Sequence, residues 1–203
     1  MRELEALRRR YGGHRPGLLG ARHSYAVLCP LVERDGELHL LFEVRAAGLR
    51  QEGEVCFPGG RMEPGETAET CALRETWEEL SIPPETVTVL GTPDFICNQA
   101  GFLLQPVLGL VSAAGFSAMC PSPAEVAEAF TAPLAFFRRT EPEVYTYDLA
   151  PQIPAEFPYD AVGIPADYRW AHGRVEVPVW YWQGRAVWGM TARLARDLAA
   201  TEL

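Results

Sequence analysis

The segment from Phe57 to Pro84 leaves this chain little choice of local structure. It opens Phe57-Pro58-Gly59-Gly60, passes through Pro64-Gly65-Glu66, and then runs from Thr67 to Ile82 without a glycine or proline until Pro83-Pro84. A glycine-punctuated loop must therefore deliver a helix. Thr67 is a suitable N-cap, and the helix runs to about Leu80. Ser81 to Pro84 stops it, because neither proline can continue it.

On that helix Glu75, Glu78 and Glu79 stand at i, i+3 and i+4. Their Cβ atoms fall within about 5–6 Å of one another on one face, and like charges so placed destabilise a helix by a few tenths of a kcal/mol per pair. Glu78 and Glu79 also occupy the last turn, where the helix dipole favours cations. Such local conflicts mark functional sites. A divalent cation reverses both penalties. An all-oxygen ligand set suits Mg2+ or Mn2+ rather than zinc. Magnesium keeps waters and adds substrate phosphates, so a pyrophosphate-bearing substrate is the natural expectation. The plainer alternative is a solvated acidic face with Arg74–Glu78 as a surface pair. Gly59-Gly60, ahead of the helix, allows backbone to approach a ligand or metal closely.

The rest of the chain reads as α/β. Residues 2–11 have helical composition and end at Gly12-Gly13. Residues 24–33 read as a strand, Arg34-Asp35-Gly36 as a hairpin turn, and Leu38 to Glu43 as a second strand. A loop follows from Arg45 to Glu66. Residues 86–96, 102–111 and 125–131 read as strands, and Pro133 to Arg138 as a short helix. A Pro- and Tyr-rich stretch, about 140–172, reads as irregular; long loops in compact domains are usually functional or disordered. Its aromatic content favours an ordered flap or interface. Arg174 to Trp182, Gln183-Gly184 and Ala186 to Trp188 suggest a last hairpin. A C-terminal helix, about 189–199, carries Met190, Leu194 and Leu198 on one stripe. No repeat or second core is visible, so residues 1–203 are expected to form one domain.

Composition narrows the partners. The chain carries 18 basic and 27 acidic residues, a net charge of −9. That argues against nonspecific nucleic-acid binding and against docking on anionic membranes. Every basic residue is arginine, which excludes a Schiff-base or P-loop lysine. The 5 cysteines are widely spaced, and none forms a Cys-x-x-Cys pair. Free thiols in a reducing cytosol are expected, hence a cytoplasmic protein. The first residues lack the apolar core of a signal peptide, and no apolar run approaches a membrane span. The histidines (His14, His23, His39, His172) show no metal spacing. Cys56, just before Phe57, is left between a place near the site and, as the plainer reading, a buried neutral thiol.

The run Gly60-x5-Glu66-x7-Arg74-Glu75-Thr76-x-Glu78-Glu79-x-Ser81-Ile82 resembles the Nudix box. Every charged position and spacing agrees. Thr76 stands where an aliphatic residue is usual, and Ser81 where glycine is usual; glycine there would supply a positive φ. The resemblance implies a mixed β-sheet sandwiched between α-helices and an enzyme that hydrolyses a nucleoside diphosphate linked to another group. Carried over by position, Glu75 and Glu79 bind the metal, and Glu78 is a further ligand or a base that orients water. Glu75, Glu78 and Arg74 form the catalytic set, with Arg74 paired to Glu66 so as to hold the loop against the helix. The Gly59 carbonyl is a candidate to complete the metal shell. Water attacks phosphorus while one or more cations neutralise charge on the bridging and leaving oxygens.

The upstream flank resembles the signature of coenzyme A pyrophosphatases in the same superfamily, Leu-Leu-Thr-x-Arg-[Ser/Ala]-x3-Arg-x3-Gly-x3-Phe-Pro-Gly-Gly. Here it reads Leu41-Phe42-Glu43-Val44-Arg45-Ala46, then Arg50, Gly53 and Phe57-Pro58-Gly59-Gly60. Leu-Leu-Thr is partly replaced, and one residue is missing between Arg50 and Gly53. Trp188-Gly189-Met190-Thr191-Ala192-Arg193 also looks like that subfamily. The resemblance implies coenzyme A or acyl-CoA as substrate, with Arg45, Arg50, Gly59 and Gly60 facing it. Arg45 and Arg50 can supply charge-assisted bonds to phosphate. ADP-ribose and NADH are the alternatives, followed by a non-catalytic Nudix-like nucleotide-binding regulator. Segment 140–172 is left between a cover for the pantetheine arm, a homodimer contact and surface packing. Glu125 stands where several members place an extra acidic residue near the metals, although a surface strand residue is the plainer reading.

Overall fold

The computed structural model describes residues 1–14 and 17–200; the expected domain extent, 1–203, also includes residues outside the described ones. Helix α1 (Arg2–Tyr11) precedes strands β1 (His23–Arg34) and β2 (Glu37–Arg45). These two form the expected hairpin, with Asp35 and Gly36 both at positive φ (53° and 78°), the geometry a two-residue turn demands. Then come β3 (Val55–Cys56), β4 (Gly59–Arg61), α2 (Ala68–Leu80), β5 (Val87–Gly91), β6 (Ile96–Asn98) and β7 (Phe102–Val111). The chain continues through α3 (Ala113–Ala118), β8 (Val126–Pro133), α4 (Leu134–Arg139), β9 (Glu143–Leu149) and α5 (Tyr159–Val162). It ends with β10 (Gly173–Trp182), β11 (Arg185–Trp188) and α6 (Gly189–Ala199).

The main sheet runs β3-β2-β1-β7-β5, with β4, β6 and β8 pairing β1, β7 and β2. Strands β1 and β7 run parallel and their other partners antiparallel, so the sheet is mixed. Alternation along β1 sends Cys29 and Leu31 to one face, against Phe137 of α4 and Leu194 and Leu198 of α6. Ala26 and Leu28 point to the other face, under Cys71 and Ala72 of α2. Helices thus cover both sides of the sheet, as the fold expectation has it.

Three expectations need correction. The loop read from Arg45 to Glu66 contains β3 and β4, pairs of backbone hydrogen bonds too short and glycine-rich to show a period of two. The strand read at 86–96 is divided: β5 ends at Gly91, and β6 starts at Ile96. The stretch read as irregular, 140–172, holds β9 and the short α5. Strand β9 pairs with β10 from Glu143↔Val179 to Leu149↔Gly173, building a second sheet ordered β11-β10-β9. It is an edge strand with almost every residue exposed, so no buried face imposes alternation on its sequence. Helix α3 is a further element that the sequence reading lacks. Among the described residues no helix is long and apolar enough to cross a membrane.

Candidate active site

Helix α2 starts as expected: the Thr67 hydroxyl oxygen accepts a hydrogen bond from the Thr70 N–H. It ends at Ser81 in the left-handed conformation (φ 57°, ψ 26°), the geometry for which glycine is usual. The Ser81 hydroxyl donates to the Cys120 carbonyl at 2.9 Å, which ties the strained residue to the chain ahead of β8. Thr76 is fully buried, and its hydroxyl donates to the Ala72 carbonyl at 2.7 Å, so it replaces an aliphatic side chain without an unpaired polar atom. The last turn of α2 holds no basic residue.

Arg74 organises the acidic face. Its Nε and Nη2 donate to the two carboxylate oxygens of Glu66, at 3.0 and 3.2 Å. Its Nη1 donates to Glu75 at 2.9 Å and to Glu78 at 3.0 Å. The expected Glu66–Arg74 pair and the plainer Arg74–Glu78 pair therefore both exist, on one guanidinium. The Arg74 hydrogen bonds, helped by the Glu63 N–H, hold the Glu66 carboxyl down at about 2. Such a fork–fork contact is one that lysine cannot make.

The two glycines ahead of α2 have separate reasons to be glycine. Gly59 sits at φ 153°, paired to Val27, and a Cβ there would lie 2.6 Å from the Val27 Cα. Its N–H donates to Glu79 Oε2 at 2.8 Å. At Gly60 a Cβ would run into the carboxylate of Glu75. Close backbone approach thus serves the carboxylates themselves.

Sequence reasoning missed Glu43. On β2 it shares a face with Leu41, the face that α2 covers, and it is 1% exposed. Its β3 partner is Cys56, whose Sγ donates to Glu43 Oε1 at 3.4 Å, while Oε2 has no hydrogen-bond partner. The available signal was strand parity: both Leu41 and Phe42 are core residues, so both faces of β2 are covered and Glu43 must be buried. Burial pushes the Glu43 carboxyl up to about 7, against the opposing pull of the Cys56 hydrogen bond and Arg45. Burial, and next the charge of Glu43, push Glu79 up as well. Burial raises Glu75, with Arg74 opposing. The charge of Glu125 adds to the rise at all three. Glu125 is an exposed turn residue just before β8, beside the acidic group rather than on a strand. Desolvation, and next the charge of Glu43, push the Cys56 thiol up, but Cys56 is only partly buried and lies beside the site rather than in the core.

Among the described residues no three His, Cys, Asp or Glu side chains already converge in metal-ligand geometry. Arg74 holds Glu75 and Glu78, and the Gly59 N–H holds Glu79. The donor chemistry nevertheless fits a hard divalent cation. Several carboxylates crowd one place, two are almost fully buried, and one buried oxygen has no partner.

A cleft of about 290 Å³ opens beside Gly59. Val55, Cys56 and Phe57 form one wall; Val175 and Val177 of β10, Tyr147 of β9 and the start of α6 form the other. Arg45 and Arg193 both line it. Arg50 does not: it is exposed, and its carbonyl accepts from Arg45 Nε at 3.0 Å. Gly60 does not reach the cleft either. Of the expected substrate-facing residues, Arg45 and Gly59 are there. The Trp188–Arg193 motif contributes five of the lining residues: Trp188, Gly189, Met190, Thr191 and Arg193.

The NUDIX domain model matches residues 22–143, and the chain belongs to the Nudix family. Among curated relatives, the peroxisomal coenzyme A diphosphatase NUDT7 of Mus musculus is 41% identical over 137 residues, covering 63% of this chain and 56% of that protein. An uncharacterized Nudix hydrolase NudL of Cronobacter sakazakii is 37% identical over 177 residues, covering 86% of this chain and 80% of its own. The chain spans only 39% and 56% of the length of the first two animal relatives it matches. Among solved structures, a Nudix hydrolase from M. smegmatis, RenU, superposes with a TM-score of 0.50 at 24% identity, covering 57% of this chain and 73% of that one, a likeness of fold. Strands β10 and β11 and helix α6 lie beyond the matched domain, so one wall of the cleft is built from outside it.

Proposed function

We propose that this chain hydrolyses the pyrophosphate bond of coenzyme A or an acyl-CoA, releasing adenosine 3′,5′-bisphosphate and (acyl-)4′-phosphopantetheine, with Mg2+ or Mn2+ as cofactor. The observation that carries this reading is the cleft at Gly59. It is a largely apolar trough with Arg45 and Arg193 along it, Glu54 and Glu176 also in its lining, and it meets the buried carboxylate cluster through Gly59, whose N–H holds Glu79. A substrate with a diphosphate in the middle and a long, weakly polar arm suits that arrangement. The likeness to a mouse coenzyme A diphosphatase points the same way.

In this reading Glu75, Glu79 and Glu78 would hold the cation, which would supply positive charge to offset the charge developing on the phosphate oxygens. Arg74 orients Glu75 and Glu78 before substrate arrives. In the same reading Glu78, the most exposed of the three, orients the attacking water. Gly59 fixes Glu79 through its N–H, and Arg45 faces the phosphates. Water adds to one phosphorus and gives up a proton, the anhydride P–O bond breaks, and the second phosphate leaves with the bridging oxygen.

Chromatography of coenzyme A incubated with the protein and Mg2+, beside a chelator control, tests the proposal. Chelator-sensitive release of the two products is expected. Absence of release, with turnover of ADP-ribose or NADH instead, would move the chain to another Nudix substrate class.

A further inference from the structure

Glu43 is the buried acid that the family pattern leaves unexplained. It stands on β2, where the related signature has threonine, outside the Glu75, Glu78 and Glu79 set of α2. A carboxylate that is 1% exposed, with one oxygen unpartnered, is costly unless something compensates it. Its surroundings supply little compensation. The Cys56 thiol donates one weak hydrogen bond at 3.4 Å, and Arg45, on the same strand, sends its Nε to the Arg50 carbonyl. The other charged groups that act on it, Glu75 and Glu125, are acidic, and its own charge acts on Glu79. Strand parity aims it at α2, from the sheet side of the helix whose carboxylates form the candidate cation site.

We propose that Glu43 is an additional carboxylate ligand of that cation site, contributed by the sheet rather than by the helix. The inference rests on the metal-dependent reading of α2. A cation held by Glu43 together with Glu79 would give the unpartnered Oε2 a partner and offset the charge of the pair. The chain has no lysine, Arg74 is engaged with Glu66, Glu75 and Glu78, and Arg45 turns its Nε to the Arg50 carbonyl, so among the described residues no arginine hydrogen-bonds Glu43. Cys56 acts on Glu43 only as a positioning residue, steering Oε1 by its single hydrogen bond.

The test is Mn2+ binding to the full chain without substrate, followed by electron paramagnetic resonance of the free ion, together with thermal unfolding in chelator. Wild type, Glu43→Gln and Glu43→Thr are compared. The Gln variant keeps the shape and the acceptor for Cys56. The Thr variant carries the comparison should Gln fold poorly. Mn2+ affinity should fall by about tenfold or more in both, a size typical of disturbed metal sites. The chelated Gln variant should unfold no earlier than wild type, because a buried charge has gone while the fold keeps its packing. Affinity within twofold of wild type in a folded variant would overturn the proposal alone and leave Glu43 a packing residue. Failure of wild type itself to bind Mn2+ would overturn the metal-dependent reading, and this inference with it.

Discussion

Arg74 grips Glu66 with two parallel hydrogen bonds, Nε to Oε1 at 3.0 Å and Nη2 to Oε2 at 3.2 Å, across the junction of the loop and α2. The remaining nitrogen reaches Glu75 and Glu78. One guanidinium thus ties down the loop and aligns two acids. Arg74→Lys keeps the charge and loses the fork. It should lower stability by about 1–3 kcal/mol in urea titrations, since charge-assisted bonds of this kind contribute that much. Turnover should fall further than stability accounts for, because Glu75 and Glu78 lose their common anchor. An unchanged urea midpoint would show that the fork contributes no stability.

The two glycines should fail differently. Gly59→Ala sets a side chain against the β1 backbone, and overpacking of this kind typically costs about 1–3 kcal/mol. Gly60→Ala displaces the Glu75 carboxylate. It should leave circular dichroism close to wild type while reducing kcat by about tenfold or more, since an ångström of misplacement can cost a hundredfold. Normal kcat in Gly60→Ala would mean that Glu75 needs no fixed position.

Glu79→Gln should abolish turnover without loss of fold. The amide oxygen can still accept the Gly59 N–H, so the local geometry survives while the charge disappears. Removing a buried charge from beside Glu43 should leave the chelated protein at least as stable as wild type. Activity retained in this variant would eliminate Glu79 as a metal ligand.

Stability of the metal-free protein should depend on pH with two opposite limbs. Glu43 and Glu79 have raised pKa values in the fold, so from the ordinary glutamate value of 4.5 up to about 7 for Glu43, and further up to about 9 for Glu79, the folded state holds protons that the unfolded state has released. Stability therefore falls as pH rises through that window. Glu66 is held low by Arg74, so its contribution is present above 4.5 and is lost as pH falls toward about 2. Thermal unfolding in chelator should peak near pH 5, and Mg2+ should flatten the neutral limb. A metal-free Tm that climbs from pH 5 to 8 would contradict the crowding of acids at α2.

Arg45 and Arg50 are both expected from the sequence to face the substrate, but the fold separates them. Arg45 lines the cleft, while Arg50 is exposed and offers only its carbonyl to Arg45. Arg45→Ala should raise KM for coenzyme A by about tenfold or more, as loss of a charge-assisted phosphate contact does. Arg50→Ala should change it much less. Equal effects would place Arg50 at the substrate as well.

Local chemistry was legible wherever neighbours in the chain settle it. Spacing of three and four puts Glu75, Glu78 and Glu79 on one helix face; Thr67 caps that helix, Ser81 ends it, and Asp35-Gly36 and Gln183-Gly184 turn two hairpins. Each depends on dihedral angles and contacts within a few residues, which residue types decide directly. Strand β9 was not legible, because an exposed edge leaves its side chains free of any periodic demand.

What the sequence alone determined is the identity and spacing of the acids on α2, and with them the family. The tertiary structure decided which groups those acids meet. Glu43 faces α2 because β2 lies in the middle of a sheet covered on both sides, and burial, a property of the assembled layers, turns an ordinary strand glutamate into a raised-pKa carboxyl with one unpartnered oxygen beside Glu79. The cleft likewise exists only because β10 and α6 return to the loop before α2. Desolvation and long-range contact depend on packing between distant segments, which local sequence pattern does not encode.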